Sequence, residues 1–325
     1  MLFVWTTQGF AQIKSAESIG LKHIKTLYQG DTVDVLIKSK KGEEFKKKPL
    51  FLFFQGSLPI PLIIYDGENS YPVFPFQTDS LEIDYHIAII GKPSIPLITD
   101  SKTLGTNFMY QDPQTGKTST EYSKRNLLDY YVDRNLQVIK TLQELPFIDN
   151  SKLVVAGHSE GSRVACKLAS KSKKVTHLIY ASGCPLGRIM TMIQKSRGIE
   201  TDSTQIAENN MEYWEEIVKN KNDMDDSRGD TYKAMYDFSN PYIEYFKQLK
   251  IPILVCYGTK DHSAPYNDYL RVEMIRQQKK NFTFKSYIGL EHNFSRLTAD
   301  GKPDYDKSNW DKIANEWWKW TKQKK

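Results

Sequence analysis

Short apolar runs alternate along the chain with stretches whose apolar residues recur every three or four positions. Leu50 to Phe54 and Tyr85 to Ile90 are continuous apolar runs, as a strand covered on both faces requires. Val33, Val35 and Ile37 alternate instead with polar neighbours. Together with the β-prone run from His23, across Gln29-Gly30-Asp31, they predict a hairpin with one buried face. Leu127, Leu128, Tyr131, Leu136, Ile139 and Leu142 keep helical spacing from Ser123 to Pro146, which predicts a helix of about five turns. Lys152 to Ala156, Val175 to Ala181, Ile251 to Tyr257 and Phe282 to Ile288 read as further strands. Trp310, Ile313, Ala314, Trp317 and Trp320 form the apolar stripe of a closing helix. Strands alternating with helices imply an α/β fold, a mostly parallel central sheet flanked by helices.

Two segments interrupt this rhythm. From Gly91 to Ser123 the chain turns to Pro, Thr, Ser, Asp and Gly, a long connection expected to lie over a substrate entrance. Between residues 185 and 249, Ile189, Met190 and Ile193 and then Ile206, Ala207, Met211, Trp214, Ile217 and Val218 mark two helices, with a polar joint from Asp223 to Asp230. An inserted helical cap is expected there, because the flanking strands end where a site should lie.

Composition narrows the class. With 39% hydrophobic and 26% charged residues among 325, the chain can bury a sizeable core, and no apolar run approaches the length of a membrane span. The formal charge of +6 comes from lysines scattered over Lys38 to Lys48, Lys171 to Lys174 and the carboxyl end. Such scatter predicts solvated surface and no nucleic-acid partner. Cys166, Cys184 and Cys256 lie in or beside apolar segments without metal-ligand spacing, so they read as small core residues. Met1 to Gln12 look like the tail of a secretory signal with a small-residue cleavage point after Ala11, yet lack a basic stretch before the apolar part. Residues 1–22 are therefore expected to be a signal remnant or a disordered end, preceding a domain of residues 23–325. The protein is exported in the first case and cytoplasmic otherwise.

The candidate chemistry is at the ends of the predicted strands, where parallel sheets bind ligands. Gly157-His158-Ser159-Glu160-Gly161 joins a valine-rich strand to a helix. Gly157 and Gly161 allow the close approach such a turn needs, and Ser159 stands clear as a nucleophile. A serine hydroxyl needs a base, and an imidazole base needs a carboxylate to fix its tautomer. His292, after the last strand, and Asp261, after the one before it, fill those roles, with Asp268 and Glu291 as competing acids. The backbone N–H groups of Glu160 and Ser57 would hold the oxyanion. His158 should point away from substrate, and His23, His86, His177 and His262 read as structural. No zinc-site spacing and no phosphate-cradling glycine loop occurs, so neither metal nor cofactor is expected.

The order nucleophile, acid, histidine, carried by Gly157-His158-Ser159-Glu160-Gly161, Tyr257-Gly258-Thr259-Lys260-Asp261 and Gly289-Leu290-Glu291-His292, resembles the α/β-hydrolase family from about Leu50 to the carboxyl end. The position of the acid and the amino-terminal hairpin are similar to the dienelactone-hydrolase and prolyl-oligopeptidase branches. Gln55 departs from the histidine often found at that place in the family. The resemblance implies a serine hydrolase that forms an acyl-enzyme on Ser159 and acts on a small ester in the manner of a carboxylesterase. A peptidase acting on a short peptide, an acyltransferase and a non-catalytic binding protein remain open on the same fold.

Overall fold

The computed structural model describes residues 15–67 and 69–323, so the segment Met1 to Gln12 lies outside the described residues. Strands β1 (Leu21–Tyr28) and β2 (Asp31–Lys38) form the expected hairpin; Gln29 and Gly30 are both at positive φ (51° and 87°), as a two-residue primed turn requires. β1 begins two residues before the domain start expected at His23, and Ala16 and Leu21 are already buried. There follow β3 (Lys48–Phe54), β4 (Ile63–Tyr65), α1 (Asp79–Glu82), β5 (His86–Ile90), β6 (Ile98–Asp100), α2 (Thr120–Arg125) and α3 (Leu128–Gln143). The chain continues through β7 (Ile148–His158), α4 (Glu160–Lys171) and β8 (His177–Ala181). Helices α5 (Arg188–Arg197), α6 (Ile206–Lys219), α7 (Tyr232–Ser239) and α8 (Ile243–Gln248) then lead to β9 (Ile253–Gly258). Last come α9 (Ala264–Arg276), β10 (Phe282–Tyr287), the hairpin of β11 (Ser295–Leu297) and β12 (Pro303–Ser308), and α10 (Trp310–Thr321).

Among the described residues the main sheet has eight strands in the order β1-β2-β5-β3-β7-β8-β9-β10. Only β2 runs against its neighbours; from β5 to β10 every pairing is parallel. Alternation along each strand divides the core. Leu50, Leu52, Leu153, Val155, Ile253 and Val255 meet α3, α4, α8 and α9 on one face. Phe51, Phe53, Val154, Ala156, Leu254 and Cys256 meet α1 and the tryptophan stripe of α10 on the other. Both faces are covered, which is why the central strands read as unbroken apolar runs. All three cysteines are free and buried. No helix among the described residues is long and apolar enough to cross a membrane.

Several elements differ from the sequence expectation. The helix expected from Ser123 to Leu145 breaks at Asn126 (φ −75°, ψ 55°), whose amide donates to Asp230 at 3.1 Å and accepts from Tyr131 at 3.2 Å. These side-chain bonds compete with a continuous helical ladder. The connection from Gly91 to Ser123 is partly ordered by β6 pairing with β4. Between β8 and β9, Ile189, Ile193 and Ala207 gather in one small apolar cluster and Ile217, Tyr232 and Met235 in another, apart from both sheet faces.

Candidate active site

The turn from β7 to α4 is built by exclusion. Ser159 holds φ 56° and ψ −122°, a strained conformation for a residue with a side chain. Its N–H donates to Ala181 O at 2.9 Å and its carbonyl accepts from Ser162 Oγ at 2.6 Å, which pins the turn to β8 and to the first turn of α4. A Cβ at Gly157 would collide with the Gly161 carbonyl, and one at Gly161 with the carbonyls of Phe54 and Gln55. Both glycines are thus demanded by the close approach of three backbone segments.

Two further strand ends meet Ser159. Gly258, ending β9, lies so close to the Leu290 carbonyl that no side chain fits, and this contact joins the loop carrying Asp261 to the loop carrying His292. His292 Nε2 lies 2.9 Å from Ser159 Oγ, and His292 Nδ1 lies 2.9 Å from Asp261 Oδ2. The Ser263 N–H donates to the other carboxylate oxygen at 2.8 Å. Burial is the largest influence on Asp261 and works to raise its pKa, but the His292 imidazole and the Ser263 bond outweigh it and hold the carboxyl below its ordinary range. Burial likewise opposes the imidazolium of His292; the Asp261 carboxylate overcomes it, and the pKa rises above the ordinary 6.5.

The competing acids have other partners. Asp268 accepts from the Tyr257 hydroxyl, and Glu291 Oε1 accepts from the N–H groups of Asn293 and Ser295 at 2.8 and 2.9 Å. His158 turns away from Ser159 toward Trp310 on the α10 face of the sheet, its Nε2 donating to the His292 carbonyl at 2.9 Å. Burial, then the nearby His292, pulls its pKa down to about 3, so it stays neutral and steadies the backbone of the histidine loop. His23 faces Asp34 at 2.7 Å, and His86 lies between Ser39 and the Lys46 carbonyl.

The expected oxyanion donors flank the serine. Glu160 opens α4, and Ser57 follows Gly56, where a Cβ would stand 3.6 Å from Ser159 Cβ. The Ser57 carbonyl accepts from the buried Tyr122 hydroxyl at 3.0 Å, so the connection from Gly91 to Ser123 supports this loop from behind.

Sequence reading missed an ionic chain at the same place, buried at Lys92 and Glu160 and open to solvent at Asp230. The Glu160 carboxylate, 5% exposed, pairs with Arg188 of α5 and lies 3.6 Å from Lys92, and Arg188 reaches Asp230 at 2.6 Å. Arg163, also buried, donates to the Phe238 carbonyl. Nothing local in the sequence marks these charges as partners. A cavity of about 440 Å3 opens between Ser159, His292 and this inserted region, with Arg163, Arg188, Tyr213 and Asp230 in its wall. Among the described residues no group of His, Cys, Asp and Glu could hold a metal ion.

The BAAT / acyl-CoA thioester hydrolase C-terminal family matches residues 132–292, a span that contains Ser159, Asp261 and His292. No curated protein sequence matches the chain. Among solved structures, Est1E from Butyrivibrio proteoclasticus superposes with a TM-score of 0.52 at 14% identity, covering 92% of this chain and 97% of that one. The acylaminoacyl peptidase of Pyrococcus horikoshii gives 0.51 at 14% identity over 82% of this chain, which spans only 36% of the peptidase. A 2,6-dihydroxy-pseudo-oxynicotine hydrolase gives 0.54 at 16% identity, covering 92% of this chain and 66% of that one. At these identities the likeness is one of fold.

Proposed function

The chain has the α/β-hydrolase fold, and from that premise we propose that it is a serine hydrolase cleaving a carboxylic ester through an acyl-enzyme on Ser159. The observation that carries this reading is the single imidazole spanning Ser159 Oγ and the Asp261 carboxylate at 2.9 Å on each side. Neutral His292 takes the hydroxyl proton at Nε2 as Oγ bonds to the carbonyl carbon, and Asp261 stabilises the imidazolium that forms. The tetrahedral oxyanion rests on the N–H groups of Ser57 and Glu160, and the field at the start of α4 adds to them. His292 then returns the proton to the leaving group, and a water activated by the same imidazole releases the acid. Within residues 185–249, helices α5, α6 and the start of α7, whose apolar residues pack apart from the sheet, act as a cap, leaving a space sized for a small molecule, while α8 joins the layer on the sheet.

A thioester is the second reading, favoured by the family match across all three residues. A fluorophosphonate probe and Ser159→Ala test the nucleophile: labelling of the native chain that the variant loses supports the reading, and labelling retained in the variant overturns it. Initial rates with p-nitrophenyl esters, acyl thioesters and aminoacyl p-nitroanilides then rank ester, thioester and peptide chemistry. Failure to cleave any of the three, despite labelling, would leave acyl transfer to an alcohol acceptor to be measured next.

A further inference from the structure

The serine stands on a ridge between two spaces. Besides the cap-side cavity there is a chamber of about 830 Å3 on the α10 face of the sheet. Neighbouring residues divide between them: Gly56, His158 and Asn293 line the chamber, while Ser57, Ser159 and His292 line the cap-side cavity. Gly56 is the closest link. A Cβ there would lie 3.9 Å from Ser159 Oγ, so the chamber reaches to within one residue of the nucleophile and no side chain at position 56 bars the way.

The two spaces differ in chemistry. The chamber is walled by an aromatic cluster, with Phe76 5.3 Å from Phe53 and 6.0 Å from Trp310, and by Val73 packed against it. Its surroundings leave Tyr71 and Phe108, 5.2 Å apart, 39% and 44% exposed. Apolar surface left wet around a preformed cavity is what an apolar ligand would cover. Lys38, Gln77, Asn293 and Asp311 also border the chamber, but charge is denser in the smaller cap-side cavity, where Glu160, Arg163, Arg188 and Asp230 stand beside Met192 and Met235.

We infer that the substrate is bipartite, with an alkyl or aryl half seated in the chamber bounded by Phe53, Val73, Phe76 and Trp310 and a smaller polar half beneath the cap. This rests on Ser159 as nucleophile, because the scissile carbonyl must sit on the ridge. The apolar half is supplied by either the acyl chain or the alcohol.

Two homologous ester series on the full chain separate those sources, one lengthening the acyl chain and one the alcohol. In one of them kcat/KM rises about fourfold per added methylene, the value of burying one such group. Val73→Trp, which fills the chamber, flattens that rise. A parallel titration of Ser159→Ala with N-alkylacetamides and with N-methylalkanamides of increasing length reads the chamber without turnover: affinity grows with length in one of the two series and Val73→Trp abolishes the growth. If esters are not cleaved while the titration keeps its slope, the serine reading fails and the chamber stands. Flat dependence in both ester series and in the titration overturns the proposal, as does a Val73→Trp variant that weakens short and long members equally.

Discussion

Asp261→Asn is the sharpest test of the assigned acid. In the native site one carboxylate oxygen accepts the Ser263 N–H at 2.8 Å and the other accepts His292 Nδ1–H at 2.9 Å. Asparagine keeps one acceptor and gains a donor. Because the Ser263 N–H belongs to the backbone, the amide oxygen stays with it, and the NH2 group faces Nδ1. The imidazole must then carry its proton on Nε2, which points that proton at Ser159 Oγ and removes the base. The expected loss is about 10⁴-fold in kcat, or about 5.5 kcal/mol of transition-state stabilisation. The pH profile moves as well. Native kcat/KM rises as pH passes the raised pKa of His292, since only the neutral ring is a base. Without the Asp261 charge, burial is opposed only by the weaker pull of Glu291, and the limb of the residual activity shifts to lower pH. Stopped assays with a p-nitrophenyl ester between pH 5 and 9 measure both effects. Asp268→Asn is the control, because Asp268 bonds Tyr257 instead of the imidazole. Retention of more than a tenth of the native rate in Asp261→Asn, or a comparable loss in Asp268→Asn, would refute the reasoning.

Ser159→Ala keeps the Cβ and the backbone conformation at φ 56°, so chemical unfolding should change by no more than about 1 kcal/mol while turnover disappears; a larger loss would mean that the hydroxyl holds the fold. Arg188→Met leaves the buried Glu160 carboxylate with only Lys92 at 3.6 Å, and urea unfolding should fall by about 3 to 5 kcal/mol. A change below about 1 kcal/mol would show that water reaches Glu160. Gly161→Ala drives a methyl group into the backbone carbonyls of Phe54 and Gln55, neither of which can swing aside, and should cost more than about 4 kcal/mol or prevent recovery of folded protein; a well-folded variant of native stability would refute the close approach. Acid lability should follow Asp261: its lowered pKa contributes stability above the unfolded carboxyl value that is lost as pH falls through the folded one, and acid titration of Asp261→Asn should lack that component.

Much of the architecture was legible in one dimension because its signals are local. Continuous apolar runs such as Leu50 to Phe54 announce strands buried on both faces, and the Trp310 to Trp320 stripe announces a helix with one buried side. Glycines at the ends of the predicted strands pick out Ser159, Asp261 and His292, and the shared direction of parallel strands carries those ends to one edge. Helix α9 escaped notice because it buries Asn267 and Glu273 beside Leu270 and Met274, leaving no apolar stripe to read. The break at Asn126 was hidden for a related reason, since its helix-ending bond runs to Asp230, more than a hundred positions away.

Only the tertiary structure decided the rest. Sequence position favoured Asp261 over Asp268 and Glu291, but the 2.9 Å approach of its carboxylate to His292 Nδ1 depends on how two separate loops pack. The pairing of Glu160 with Arg188, and the chamber shared by Phe53, Phe76 and Trp310, join residues from distant elements whose spacing has no periodicity. Hydrophobic pattern records which side of an element is dry, a property of each segment alone. Which charges meet, and where a cavity remains, depend on how separate segments are packed against one another, and no single stretch of the chain carries that information.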